Sequence, residues 1–403
     1  MRRPSPGEST PGGSPDASIW TVPGMPALAF LSFMGFSGYA ALLPVAPLWA
    51  VHGGADSAGA GLVNFVLLAT TVATQFLVPA LVRRIGWGAT LTLSLVLLGL
   101  PALLHVLSDG LGVVLLLSGV RGVGFGILTV AASAAAVLLV DPARRGAAVG
   151  AYSLALATPN VLLMPVGGWI AEAWAFWPVF VLSALPLVGL PASWALARHL
   201  PVRATHDSRH PEPDGAPAGL ATYLVILPPS LVLMAITLAG GALITFAPQM
   251  VAVPWLSAAG LFAFGLVSTV VRWRVGGLAD RWGSGRLAWP FVLLAVLGLL
   301  AVSRLVDQQV VADRLLAWLA ACGLVGAAYG ALQSLTMIRA FEAAGPRRVG
   351  AASAVWNAGF DTGTATGSVL VGALAVGWGF GAGMAITAGL VLLTLPLALP
   401  ARR

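Results

Sequence analysis

Long apolar runs separated by short polar breaks dominate the chain. They fall at about 26–50, 58–81, 87–107, 111–140, 147–170 and 176–197, and again at about 220–247, 252–273, 287–303, 314–338, 349–376 and 379–399. A helix needs roughly 20 apolar residues to cross a bilayer, so the pattern predicts twelve transmembrane helices. The runs are continuous rather than alternating, which excludes an outer-membrane β-barrel. Arg198–Gly219 is the longest polar stretch in the interior of the chain and divides the runs six and six. The predicted organisation is a tail over 1–25, a six-helix bundle over 26–197, a linker over 198–219, a second bundle over 220–399 and a short end over 400–403. The tail is rich in Pro, Ser and Gly and reads as disordered, not as a cleavable leader.

Composition narrows the class. Of 403 residues, 58% are hydrophobic and 9% charged, where a soluble chain carries about 25% charged. A soluble enzyme is excluded, and so is a nucleic-acid module on an anchor. All 21 basic residues are arginine. Without lysine there is no Gly-Lys-Ser/Thr phosphate loop, which argues against ATP-driven pumping by this chain alone, and no Schiff-base chemistry. The formal charge of +7 has its explanation in topology rather than in a nucleic-acid partner. With the N-terminus in the cytoplasm, every arginine except Arg121, Arg304 and Arg314 falls on the inner side, as the positive-inside bias requires. Both termini are therefore expected inside. Trp49, Trp87, Trp169, Trp174, Trp177, Trp255, Trp282 and Trp378 stand at span ends, where interfacial belts form. Cys322 is the single cysteine and makes no intramolecular disulfide.

The two halves repeat. Leu81-Val-Arg-Arg84-Ile-Gly86-Trp-Gly88 aligns with Leu278-Ala-Asp280-Arg281-Trp-Gly283-Ser-Gly285, roughly 200 residues later, as duplicated transporter halves do. Pro142-Ala-Arg144-Arg145 aligns with Gly345-Pro-Arg347-Arg348, and Gly122-Val-Gly-Phe125-Gly126 with Gly326-Ala-Ala-Tyr329-Gly330.

On these residues the chain resembles the major facilitator superfamily across essentially all of 26–399. Gly276-Gly-Leu-Ala-Asp280-Arg281-Trp-Gly283-Ser-Gly-Arg286 is similar to the family's signature loop, here between spans eight and nine. The first-half copy has Arg83 where the family usually has the acid. Arg121-Gly-Val-Gly-Phe-Gly126 resembles the fourth-span motif of many proton-coupled members, and Met164-Pro165-Val-Gly167-Gly168 is a degenerate form of the antiporters' fifth-span motif. The resemblance implies an all-α fold of twelve helices in two pseudo-symmetric halves, and a gate built on Gly276, Asp280, Arg281, Gly283 and Arg286. The alternative for that loop is that its arginines set topology and Asp280 is solvated.

Charges inside spans are costly and mark functional candidates. Two stand out, Arg121 in the fourth span and Asp361 in the eleventh, and neither has a charged counterpart in the other half. Asn357, Asp361 and Thr364 share one helix face, a polar stripe fit to line a cavity and exchange protons. The alternative is a carboxylate satisfied between helices. Arg121 is open to three roles: an anion contact, partner of a titrating acid, or clamp on backbone carbonyls. Gln333, Asn160 and Tyr39 are uncharged candidates, while Asn64 and Gln75 rank lower because the second helix is expected to face lipid or a partner on much of its surface. His105 is expected at the interface, and His199, His206 and His210 in the linker fit no standard metal site. Pro44, Pro47, Pro228, Pro229 and Pro248 are expected to bend the first and seventh spans.

The reading is a monomeric secondary transporter of the bacterial inner membrane, without cofactor or enzymatic activity. It is expected to move a small organic molecule by alternating access. Proton-coupled export of a hydrophobic or drug-like compound is expected first, with an uptake symporter or uniporter for a small nutrient as the alternative.

Overall fold

The computed structural model describes residues 18–141, 144–200, 220–308, 312–345 and 348–400. Most of the predicted tail and linker, with His206 and His210, and residues 401–403 lie outside them, as does the Asp280 side chain.

Apolar composition and helix length set the architecture. Eleven continuous segments are long and apolar enough to cross a membrane. The last, Ala352–Leu393, runs 42 residues, about twice the length a bilayer needs. It breaks at Gly379, whose φ of 80° and ψ of 164° are not helical. Beyond the break Gly383 faces Val371 and Leu374, so the chain has doubled back. The spans are therefore twelve, as the apolar pattern predicts.

We number them α1 (Met25–His52), α2 (Ser57–Gln75), α3 (Val78–Leu104), α4 (Leu111–Leu138), α5 (Arg145–Ala173), α6 (Trp177–Ala197), α7 (Leu220–Met250), α8 (Pro254–Trp282), α9 (Ser284–Asp307), α10 (Leu315–Ala344), α11 (349–378) and α12 (380–393). α1 bends where Pro44 withholds its backbone donor, leaving helices Met25–Leu42 and Val45–His52. α6 is interrupted by a 3-10 turn at Leu185–Gly189. Asp56 caps α2 by accepting from the Gly59 amide at 2.8 Å.

Positive-φ glycines replace loops at several reversals. Gly86 (φ 80°) turns the chain within the α3 segment, whose first turns prolong α2, and Gly283 (φ 84°) turns it between α8 and α9. These are the aligned glycines of the sequence repeat, and no side-chain-bearing residue takes that conformation without strain.

Packing repeats too. Gly122 and Gly126 of α4 press on the backbone of Leu67 and Thr71 of α2, while Gly326 and Gly330 of α10 press on Phe264 and Ser268 of α8. A Cβ at any of the four would collide with backbone. Small residues thus set the helix–helix distance in both halves, as they do where apolar burial gives helices no preference for each other over lipid.

The halves meet through α2 against α11 and α5 against α8. Gly61 abuts the Ser368 carbonyl, Gly372 abuts the Ser57 carbonyl, and Gly265 lies 3.6 Å, by its virtual Cβ, from the Val161 backbone. α1 and α7 are central, 78% and 89% buried over their apolar windows against 33% for α9.

Candidate functional site

Polar side chains converge where α1, α2, α8, α10 and α11 approach mid-bundle. Asp361 is buried at 9% exposure and accepts a hydrogen bond from Gln75 Nε2 at 3.1 Å. Gln75 belongs to α2 and Asp361 to α11, so this bond joins the two halves. Tyr39 of α1 and Tyr329 of α10 lie within electrostatic range of Asp361. Tyr39 stacks on Phe125 with ring centroids 3.8 Å apart and planes 2° from parallel.

Arg121 stands one turn before Phe125 and is completely buried. Its Nη2 donates to the Gly38 carbonyl of α1 at 3.1 Å, while Nε and Nη1 have no hydrogen-bond partner among the described residues. Its duplicated position holds Val325, equally buried. Gln333 is buried at 3% exposure, and its Oε1 accepts from Arg272 Nη1 at 2.8 Å. Tyr329, one turn earlier on α10, packs on Phe264 of α8 and Phe360 of α11.

The other predicted residues stand apart from this cluster. Asn160 Nδ2 donates to the Leu156 carbonyl of its own helix at 2.7 Å. Asn357 is exposed and donates to the Ser353 carbonyl at 2.8 Å. It shares the stripe with Asp361 but makes its hydrogen bonds within its own helix.

Several expectations change. The segment Gly276–Arg286 is not a loop. Gly276 through Trp282 continue α8, Gly283 alone makes the reversal, and Arg286 already belongs to α9. An exposed helix end tolerates polar and charged residues, so their appearance does not mark the last turn. Gly276 and Gly277 have open space around them. Asn64 and Gln75 do not face lipid. Asn64 is buried and donates to the Leu43 carbonyl and to Thr245 Oγ1 of α7, at 3.0 and 2.9 Å. His105, at the end of α3, is buried, with Nδ1 2.8 Å from the Pro101 carbonyl.

Besides Arg121 and Asp361, Arg272 also stands within a segment long and apolar enough to span, Pro254–Ala279. Sequence reasoning missed Arg272, because a charge near the end of an apolar run is read as the edge of the span. The helix, however, continues to Trp282. The duplication carried the signal: Gln75 and Arg272 are related by the same offset as Gly86 and Gly283.

The sequence profile described as Major Facilitator Superfamily matches residues 28–350. Among solved structures, a bacterial homolog of the human lysosomal transporter Spinster, in an inward-facing and unoccupied conformation, superposes with a TM-score of 0.74 at 14% identity, covering 96% of this chain and 97% of that one. The nucleoside transporter NupG superposes with a TM-score of 0.71 at 11% identity, covering 93% and 98%. At such identities the likeness is one of fold. No curated protein matches the chain in sequence.

Proposed function

The chain belongs to the Major Facilitator Superfamily and is a secondary transporter of a small molecule, and from that premise we propose that it couples transport to protons carried by Asp361. The supporting observation is the Gln75–Asp361 bond between the halves. A carboxylate accepts a charge-assisted hydrogen bond about twice as strong as a neutral one. Loading a proton onto Asp361 weakens that tie, and unloading restores it. Protonation thus acts on the contact that alternating access must break and remake.

The substrate is a small organic molecule carrying both polar and apolar groups. It is bound by Tyr39, Tyr329, Asp361 and Arg272, all of one chain, so a monomer suffices. The setting is a bacterial inner membrane with the arginine-rich face and both termini in the cytoplasm. On that face Gly276, Asp280, Arg281, Gly283 and Arg286 form a contact that closes when the opposite side opens. Export is supported by the span-four motif around Arg121, whereas the degenerate span-five motif, in which Gly167 abuts Ala41 and Gly168 lies beside Pro248, favours uptake. Uptake together with a proton is the second reading, favoured by the polar centre in which Arg272 meets Gln333 and Gln75 meets Asp361.

Proteoliposomes with a pH-sensitive dye test the reading. A substrate gradient moves protons through the wild type and not through Asp361→Asn, and the sign of the pH change separates export by antiport from uptake by symport. Equal proton movement in both proteins would remove Asp361 from coupling.

A further inference from the structure

We infer that Arg272, positioned by Gln333, binds an anionic group of the transported molecule, a carboxylate in the first instance. The inference names the substrate class for the site read above and rests on that reading for its link to protons alone.

Arg272 lies about ten residues, or 15 Å of helix, before the end of α8 at Trp282. Its neighbour Arg274 folds over the Trp273 ring, 4.8 Å from the centroid, as a side chain does on an outer surface. Arg272 instead reaches the buried Gln333 of α10. Ser334 Oγ donates to the Arg272 carbonyl at 3.3 Å, so α10 grips backbone and side chain together. A guanidinium has five N–H donors, and the bond to Gln333 occupies one nitrogen. Arg272 nonetheless remains exposed, so donors beyond the one used by Gln333 are accessible to a ligand.

No acid among the described residues closes an ion pair with it. An ion pair among them, His52–Asp109 at 3.0 Å, joins the end of α1 to the segment before α4. A cation on a spanning segment without a counter-charge is costly, and a bound anion supplies that charge. Planar guanidinium matches carboxylate in a two-point fork.

The surroundings define the rest of the ligand. Tyr329 lies within electrostatic range of both Arg272 and Asp361. Phe264 and Phe360 flank it. Asp361 is occupied by Gln75, and Tyr39 faces it from α1. One cationic end beside an aromatic wall suits an amphipathic organic acid better than an inorganic anion. The duplication agrees: in the first half Gln75 takes this position and reaches across to α11, while in the second half the position carries a charge and is turned to its own half. A bound anion disfavours negative charge on Asp361, so anion and proton load together, which sides with the uptake reading.

Purified protein in lipid nanodiscs tests this by tryptophan fluorescence with aryl-alkanoates and their primary amides, from benzoate and benzamide upward. At least one carboxylate binds about tenfold or more tightly than its amide. The preference disappears in Arg272→Gln and partly survives in Arg272→Lys, whose elution profile and thermal unfolding control for folding. Amides that bind as well as acids, a preference that persists in Arg272→Gln, or no binding by any carboxylate would each overturn the inference. Asp361→Asn separates the two ideas. If the acid preference persists while proton movement is unchanged from wild type, the proton carrier is wrong and the anion site stands. If protons stop moving in that variant but acids and amides bind alike to the wild type, the reverse holds.

Discussion

Arg121 and Asp361 show how differently two buried charges are held. Asp361 has a side-chain partner from the opposite half, while Arg121 has one backbone carbonyl and two nitrogens without hydrogen-bond partners among the described residues. A buried cation so incompletely satisfied contributes little to stability and is retained at a cost. Arg121→Gln is therefore expected to fold and to unfold at an unchanged or higher temperature, while transport falls at least about tenfold, the scale of one lost charge-assisted contact. Loss of folding would make Arg121 a structural clamp on α1, and normal transport would deprive it of any role in the cycle. Gln75→Ala removes the donor to Asp361 and is expected to impair proton coupling more than substrate binding. Comparing proton movement with fluorescence binding checks this. Arg121 and Asp361 were legible in the sequence because they stand alone in apolar surroundings. Arg272 was not, since a charge near the end of a run is read as the edge of the membrane. Nor was Gln75, because a polar residue on one helix says nothing of which neighbour it faces.

At the scale of helices, glycine position decides what substitution does. Gly122→Val and Gly326→Val push side chains into the backbones of Leu67 and Phe264, and overpacking of this kind costs about 1–3 kcal/mol. Both variants should unfold at lower temperature and by similar amounts, because the two contacts are copies. Unequal losses would show that the halves do not share one packing scheme. Gly276→Ala meets open space within a helix, where alanine is favoured by roughly 0.5–1 kcal/mol. It should raise stability in the present state. If the end of α8 docks against another helix when the terminal face closes, the same variant slows transport, and Asp280→Asn slows it as well without loss of stability. Full turnover in both variants would leave that segment with topology alone. The spans were readable because helix length and apolar runs share one cause, the thickness of the bilayer. The extent of α8 was not, because helices outlast the membrane. The join of α11 and α12 shows the converse: the apolar pattern separated two spans that a single glycine connects.

For the molecule as a whole, the described contacts between halves lie toward the face opposite the termini and at mid-depth. Ser57, Gly61 and Asn64 occupy the beginning of α2, and they meet Gly372, Ser368 and Thr245. Gln75, deeper in the same helix, meets Asp361. Alternating access requires this line to open from the far end while the terminal side closes, and two tightly fitted backbones cannot part by a fraction of an ångström without losing the fit. The transition is then a rocking of rigid halves about the centre, with the Asn64–Thr245 bond breaking in every cycle. The chain has one native cysteine, Cys322, and it is buried. In a Cys322→Ala background, Asn64→Cys with Thr245→Cys places two thiols where side chains now touch. A short thiol cross-linker should abolish transport by that protein while leaving each single cysteine variant active, and a cleavable linker should restore transport on reduction. Continued transport after complete cross-linking would mean that α2 and α7 stay together throughout. Opening would then have to occur elsewhere, and the Gln75–Asp361 bond could not be the tie that a proton releases.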